Sequence, residues 1–470
     1  MANPIVQLDR SQTTPLFLQI YQRFRQAIAE GRLKPGDRVP PMRNLAAELN
    51  LARGTIEAAY QMLISEGYLL PRGPAGTIVS PQLAHQRPRS LAAAAPSVLP
   101  AQQGGPRGFL PFQMGMPALD AFPHSIWARL LNRRQREDGT ATLIYPDPQG
   151  YLALREAIAA YLGVSRGIAC TPEQVFICPG YRTALARICQ VLMLPGEPWW
   201  FEDPGYFHAK DCLLASGATL APIPVDTEGL DVGVGLRQRP DARFALVTPS
   251  HQSPLGVSLS LPRRLALLDW ANRQQAWVVE DDYDSEYRYV SRPLPALKSL
   301  DDGGRVLYIG SFSKVLFPGL RLAYLVLPQA VQAQFLAETI HRPHDCPYLL
   351  QATLTDFMTQ GHFSRHLRKM RNLYAQRREY LCQALKEVFG KQLRIDLQAG
   401  GMHLLAFLAA GETDKVWADR ALKAGLSIQA LSDWRQSGAG EQGIMLGFTN
   451  VASPTQAQRL AERLRTAVQG

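Results

Sequence analysis

The sequence predicts an α/β protein of two modules: a small helical one that ends in a β-hairpin, and a larger one built on a mostly parallel sheet. Three observations carry that expectation. Residues 14–80 are rich in helical patterning and finish in a glycine-rich hairpin. Residues 81–111 (PQLAHQRPRSLAAAAPSVLPAQQGGPRGFLP) contain no acidic residue and no sustained apolar period, which is the composition of a flexible linker. From Phe112 onward, short apolar runs alternate with amphipathic stretches, the pattern of buried strands separated by helices.

Composition bounds the rest. A chain of 470 residues exceeds one compact core, and 46% hydrophobic with 19% charged residues belongs to a folded protein, not a disordered one. The formal charge of +10 permits a polyanionic partner without requiring one. Cys170, Cys178, Cys189, Cys212, Cys346 and Cys382 form no C-x-x-C pair and have no zinc-like spacing with histidine, so no metal is expected. With no cationic-then-apolar leader and no run of membrane-spanning length, the expectation is reduced thiols in a cytoplasmic protein with no membrane partner.

In the first module, Pro15–Glu30 reads as an amphipathic helix with Leu16, Ile20, Phe24, Ala27 and Ile28 near one face, stopped by Gly31-Arg-Leu-Lys-Pro-Gly36. Pro41–Leu49 is a short second helix. A tight turn at Asn50 and Leu51 leads to a third, Ala52–Glu66, with Ile56, Tyr60, Leu63 and Ile64 inward. Tyr68–Leu70 and Thr77–Val79 flank a hairpin tip that carries Arg72. Two helices joined by a tight turn can bury one side and offer the second to a major groove. Together with the hairpin as a wing, this is a winged helix-turn-helix. Arg53 and Thr55 lie in the first turn of the third helix, Arg43 opens the second, and Arg72 sits on the wing. Each alone reads as a solvated surface residue; their order along the chain favours double-stranded DNA.

In the second module the expected strands are Val175–Cys178, Pro198–Phe201, Phe244–Thr248, Ala276–Val279, Val306–Ile309 and Leu322–Leu327. After about residue 335 a long basic helix (Phe363–Glu379) and short α+β segments suggest a smaller subdomain. The division is therefore 14–80, linker 81–111, 112–335 and 336–470. Gly310-Ser-Phe-Ser-Lys314-Val-Leu-Phe-Pro-Gly-Leu-Arg321 follows a buried strand directly, where open α/β sheets build their sites. A lysine there can form an imine with an aldehyde once its environment favours the neutral amine. Ser311 and Ser313 supply hydroxyls and Arg321 a bidentate cation for a phosphate. Asp281 and Tyr283 end a second strand, where a carboxylate can keep a pyridine nitrogen protonated and a phenol can bond a ring hydroxyl. Cys178-Pro-Gly180-Tyr181-Arg182 is a strand–glycine–helix junction whose amides suit a phosphate.

The N-terminal residues Gly31-x-Leu33-x-Pro35-Gly36-Asp37-x-Val39-Pro40, Arg43-x-Leu45-Ala46 and Arg53-x-Thr55-Ile56 resemble the GntR family of winged-helix regulators. The C-terminal segments resemble fold-type-I pyridoxal-phosphate enzymes. Taken together, the chain resembles the MocR subfamily, in which a GntR-type reader is joined to an aminotransferase-like domain. The resemblance implies DNA contacts at Arg43, Arg53, Thr55 and Arg72, and pyridoxal 5′-phosphate held on Lys314 as an internal aldimine. It further implies Asp281 at the ring nitrogen, Tyr283 at the 3-hydroxyl, Tyr206 stacked on the ring, and Gly180, Tyr181, Arg182, Ser311, Ser313 and Arg321 around the phosphate. Tyr145 would reach the cofactor of a partner subunit, making a homodimer. The chain departs from the pattern at Ala52, where a polar helix cap is common, at Ser253, where aminotransferases carry asparagine, and at Arg182, where glutamine is common.

Two function classes follow. In one, the cofactor domain senses pyridoxal phosphate, or an amino compound that forms an external aldimine with it, and so controls promoter binding. In the other it is a working aminotransferase with a DNA-binding module attached. Aminotransferases of this type place an arginine before a short strand near the end to clamp the substrate carboxylate. Here that position is Met445, with Arg435 in the preceding loop as a candidate substitute. Losing a bidentate clamp costs orientation, a large part of transaminase rate, so the sensor is favoured.

Overall fold

The computed structural model describes residues 8–10, 12–85, 109–290, 295–342, 346–437 and 440–469, and the chain divides into two compact units, Met1–Pro106 and Arg107–Gly470. Most of the expected linker, residues 86–108, lies outside the described residues.

In the first unit, helices α1 (Leu16–Ala29), α2 (Met42–Leu49) and α3 (Arg53–Ser65) bury Ile20, Phe24, Leu45, Ile56, Tyr60 and Leu63 in one core. Phe24 and Tyr60 meet edge to face at 5.4 Å, and the Tyr60 hydroxyl donates to the Pro40 carbonyl at 2.8 Å. The buried ring therefore keeps its polar tip satisfied. Asn50 turns the chain between α2 and α3 at φ 51°, a left-handed conformation that asparagine tolerates better than most residues. Ala52 at the start of α3 makes no side-chain cap bond, as its methyl dictates. Strands β1 (Leu69–Pro71) and β2 (Thr77–Val79) form the wing, and the 36–39 segment pairs with β2 through Val39 N to Thr77 O at 3.0 Å.

The second unit holds an eight-stranded sheet: β3 (Val175–Cys178), β4 (Pro198–Asp203), β5 (Thr219–Asp226), β6 (Gly229–Leu230), β7 (Phe244–Val247), β8 (Trp277–Asp282), β9 (Val306–Ser311) and β10 (Ala323–Val326). Their order is β3-β10-β9-β8-β7-β4-β5-β6. The run from β9 to β5 is parallel, while β10 is antiparallel to both neighbours, so β3 points the same way as the parallel strands. A four-stranded antiparallel sheet follows: β11 (Leu393–Asp396), β12 (His403–Leu408), β13 (Gln429–Ala430) and β14 (Gly443–Gly447), ordered β11-β12-β14-β13. Adjacent residues of β4 clamp both faces of the large sheet. Trp199 stacks on Phe244 at 4.4 Å and Trp200 on Trp270 at 4.0 Å.

The unexpected strands are β5 and β6. Pro222 and Pro224 in Thr219-Leu-Ala-Pro-Ile-Pro-Val-Asp226 argue against a strand inside a sheet, since proline offers no N–H. β5 avoids that cost because its full-length neighbour is β4 alone; β6 covers only Val225 and Asp226. The basic helix is also longer than its apolar period suggested, His362–Phe389. Several of its cations hold the fold rather than lying free on the surface. Arg371 donates to the Glu286 carbonyl, Arg378 to that of Gln398, and Arg377 pairs with Asp120.

Phe24→Ala is expected to destabilise the first unit by about 3–5 kcal/mol, the usual cost of deleting a buried phenyl ring. Amide hydrogen exchange across Arg53–Ser65 reads the effect, and unchanged protection would contradict this packing.

Candidate functional site

The strand directions bring five chain segments to one edge of the large sheet. The carboxyl ends of β3, β4, β7, β8 and β9 deliver Tyr181, Tyr206, Ser253, Asp281 with Tyr283, and Ser311 with Lys314 to a single cavity of about 330 Å³. Carboxyl edges of open α/β sheets are where such clefts form, because the loops there diverge.

Lys314 lies between two kinds of partner. Its Nζ donates to the Gly115 carbonyl at 2.9 Å, and burial pushes its pKa down while Asp284 and Asp281 oppose that shift. The net direction favours the neutral amine a nucleophile needs. Gly115 has φ +68°, and a Cβ there would collide with Nζ, so this approach requires glycine.

Asp281 is buried, which pushes its carboxyl up to about 8; the Tyr181 hydroxyl opposes the shift, and the nearby Asp282, Glu202 and Asp284 add to it. A carboxylate so placed gains from any cation brought beside it. Next to it, His251 Nδ1 lies 2.9 Å from the Tyr283 hydroxyl and 3.0 Å from Asp284 Oδ1. A carboxylate partner selects the tautomer with the proton on Nδ1. The Tyr283 oxygen then accepts, leaving its own O–H to donate into the cavity. Ser253 adds a hydroxyl beside Tyr283.

At the other end, Arg321 is held at φ 53° with Nη2 donating to the Pro179 carbonyl at 3.0 Å. Gly180 does not itself line the cavity; a Cβ on it would meet the Arg321 guanidinium at 3.0 Å, so it makes room for that group. Ser311, Ser313, Arg182 and the first amides of helix Tyr181–Leu192 complete a cationic, donor-rich pocket end.

Two expected residues stand elsewhere. Arg435 does not line the cavity; its Nη1 donates to the Glu441 carbonyl at 2.8 Å, and Asp203 pins the following Gln436 and Ser437 amides. Its guanidinium is thus engaged within its own loop in this structure. Tyr145 is 92% exposed and touches nothing in the cavity of its own chain. The cavity also gathers residues that sequence reasoning did not assign: Met114, Gly115, Phe207, Met402, His403 and Gln429. Most lie on segments remote from the motifs, where no local signal marks them. Phe207 is an exception, directly after Tyr206, as is Asp284, directly after Tyr283.

In the first unit, Arg43, Arg53 and Arg72 are exposed and Thr55 half-buried, on α2, α3 and the wing tip. Arg53 and Thr55 share the first turn of α3.

Residues 16–79 match the model of the bacterial regulatory proteins of the gntR family, and residues 116–432 match aminotransferase class I and II. The probable rhizopine catabolism regulatory protein MocR of Rhizobium meliloti is 38% identical over 98% of this chain and 95% of its own. The pyridoxine biosynthesis regulator PdxR of Corynebacterium glutamicum is 31% identical over 98% of each. The chain belongs to the MocR subfamily of GntR-type transcriptional regulators. Among solved structures, the α-aminoadipate aminotransferase LysN of Thermus thermophilus, complexed with N-(5′-phosphopyridoxyl)-L-leucine, superposes with TM-score 0.70 at 30% identity, covering 77% of this chain and 93% of its own. Kynurenine aminotransferase of Pyrococcus horikoshii gives 0.69 at 26% identity, covering 77% and 90%.

This MocR-type regulator therefore has an aminotransferase fold, and its cofactor is pyridoxal 5′-phosphate. The donor set fits that group: a buried amine, a buried carboxylate lacking a cation, and a cationic end with hydroxyls and helix-terminal amides. The expected outcome for Lys314→Ala is loss of the yellow absorbance that appears when pyridoxal phosphate is added; retained absorbance would remove Lys314 from the site. Asp281→Asn leaves the shape but removes the ionisable partner. It should weaken cofactor binding by on the order of 10- to 100-fold, the worth of a charge-assisted hydrogen bond. Equilibrium dialysis reads that change, and unaltered affinity would contradict the pairing.

Proposed function

We propose that this regulator uses its aminotransferase-like domain as a sensor, with pyridoxal phosphate or an amino compound joined to it setting how the winged helix-turn-helix holds promoter DNA. The single observation that supports this reading best is the contrast inside one cavity. Lys314, Asp281, Tyr283 and the Arg321 pocket form a complete set for the cofactor, while Arg435 is committed to its own loop and Met445 is buried.

In this reading Lys314 carries the cofactor and Asp281 keeps a proton at the ring nitrogen. Tyr283 and Ser253 bond the ring oxygen, and Tyr206 covers the ring face. Tyr181, Arg182, Ser311, Ser313 and Arg321 bind the phosphate, with Gly180 giving Arg321 its room. The exposed Tyr145 supports a homodimer in which it reaches the partner's cofactor. When bound, the cofactor supplies an electrophilic carbon for amines. Arg43, Arg53, Thr55 and Arg72 meet the DNA. The protein works in the cytoplasm, consistent with described helices none of which is long and apolar enough to cross a membrane. The second unit divides at residue 335, supported by the separate four-stranded sheet after it.

An active aminotransferase is the second reading, favoured by the intact lysine and ring partners. Promoter binding measured with and without pyridoxal phosphate, then with added amines, separates the two. The sensor reading requires DNA affinity to change, and turnover at ordinary transaminase rates with DNA affinity unmoved would overturn it. In the same assay Arg53→Ala should weaken specific binding by about 1–3 kcal/mol and flatten the salt dependence if the contact is to phosphate. Equal retention would remove Arg53 from the reading surface.

A further inference from the structure

Part of the cavity has an apolar wall. Met445 is fully buried with Leu405, Leu431 and Trp434, and Met114, Tyr206 and Phe207 pack against that cluster. Met114, Tyr206, Phe207 and Trp434 carry it to the cavity surface, which Met402 also lines. Among the described residues lining the cavity, the cationic side chains are Lys314, Arg182 and Arg321, and the two arginines belong to the Gly180–Tyr181 junction and the Pro179 carbonyl. Of the imidazoles there, His403 is pushed down to about 4 by burial, with Nε2 donating to the Pro254 carbonyl at 2.9 Å, and burial also lowers His208. Neither supplies a positive charge at neutral pH.

Arg435 cannot swing in without loss. Its loop is fixed by Asp203, whose carboxylate accepts the Gln436 amide at 2.8 Å and the Ser437 amide and hydroxyl at 3.0 and 2.6 Å, and by the Gly205 amide donating to the Trp434 carbonyl at 3.2 Å. Gln429 adds a polar side chain to this wall. Gln429, directly across the ladder from Met445, lines the cavity with a buried amide oxygen that has no hydrogen-bond partner. A primary amide offers one acceptor and two donors, so Gln429 can meet a neutral polar group of the ligand, but it carries no charge to offset the desolvation of a carboxylate.

From this geometry we infer that the amine accepted here is a primary amine with no carboxylate on its amine-bearing carbon and with an apolar or aromatic body. The inference rests on the sensor reading above and names the ligand class of that same site. With the cofactor held on Lys314, the step would be an exchange: the incoming nitrogen would bond the carbon held by Lys314 Nζ, the bond to Nζ would break, and the two protons shed by the incoming ammonium would end on Nζ as the imine stays protonated. No oxidant or further reactant is needed. The apolar wall then takes the body of the amine, and Gln429 takes a hydroxyl or other donor where one is present.

The pair 2-phenylethylamine and L-phenylalanine tests this on the full chain loaded with pyridoxal phosphate, because they differ only in the α-carboxylate. The readouts are the change in yellow absorbance and the shift in promoter affinity. The expected midpoint for 2-phenylethylamine is at least about ten-fold lower than for L-phenylalanine, a difference of one decade in affinity. Equal midpoints, a preference for L-phenylalanine, or response to neither would overturn the inference. Met445→Arg should lower the L-phenylalanine midpoint by a similar factor and leave 2-phenylethylamine within a few-fold; a yellow Met445→Arg chain with no such gain would overturn the role given to position 445. The wild-type pair decides the matter whether or not that variant folds. A wild-type chain that never turns yellow with pyridoxal phosphate would overturn the sensor reading itself, and this inference with it.

Discussion

A lysine amine buried beside two carboxylates is held by opposing forces, and much of the second unit serves to maintain that arrangement. Burial disfavours the ammonium of Lys314; Asp281 and Asp284 favour it. If the site were wetter, the lysine would be protonated and inert as a nucleophile. If the carboxylates were nearer or more numerous, it would be locked in an ion pair. The Gly115 carbonyl settles the geometry by accepting from Nζ whether the amine is charged or neutral. That contact comes from a segment far away in sequence, which in turn is anchored by Gly447 N to Phe112 O at 2.8 Å. The small sheet thus positions the residue facing the lysine.

Behind the cavity the carboxylates are sorted by what faces them. Asp282, next to Asp281 in β8, points to the other face and meets Arg166 at 2.6 Å and the Tyr308 hydroxyl at 2.5 Å. Glu280 accepts the Leu297 and Lys298 amides, both at 2.8 Å. Glu202, pushed up to about 7 by burial, accepts from Thr248 and Gln252. Hydrogen bonds within the fold offset the burial of each of these. Asp281 and Asp284 are the acids there that face the cavity, and burial raises Asp281 against the opposing Tyr181 hydroxyl. A carboxyl raised by burial inside a cavity marks a place where a ligand's charge can be met.

The fold's outline was legible because its signals are local. Phe24, Ile56 and Tyr60 repeat at helical spacing within their helices, and the runs Val175–Cys178 and Val306–Ile309 are too apolar to lie anywhere but in a sheet interior. Lys314, Asp281 and Tyr283 were legible because each ends such a run. What escaped was set by tertiary context. The strand through Pro222 and Pro224 depends on having a single full-length neighbour, which composition does not reveal. Met402, His403 and Gln429 reach the cavity only because the small sheet packs against the large one. Arg435 is a related case: its place in the loop before Met445 suggests reach, and the tether of that loop to Asp203 is visible only in the fold.

The same tether bears on how a bound amine could be felt beyond the cavity. Asp203 ends β4, just before Tyr206, and its carboxylate holds the loop that follows Trp434. Tyr206 and Trp434 lie 5.8 Å apart, one from the large sheet's edge and one from the smaller part of the unit. A ligand body lying against both rings would press on a joint whose two sides are tied through one carboxylate. Such a ligand changes the balance between two arrangements of the joint only by contacting them unequally. An apolar body packed against the Tyr206 and Trp434 rings does so by the area it buries, whereas a carboxylate clamped by a fixed arginine would direct its binding energy to orientation for chemistry. Under the sensor reading, Met445 in place of such a clamp would trade catalytic positioning for sensitivity to the shape of the amine.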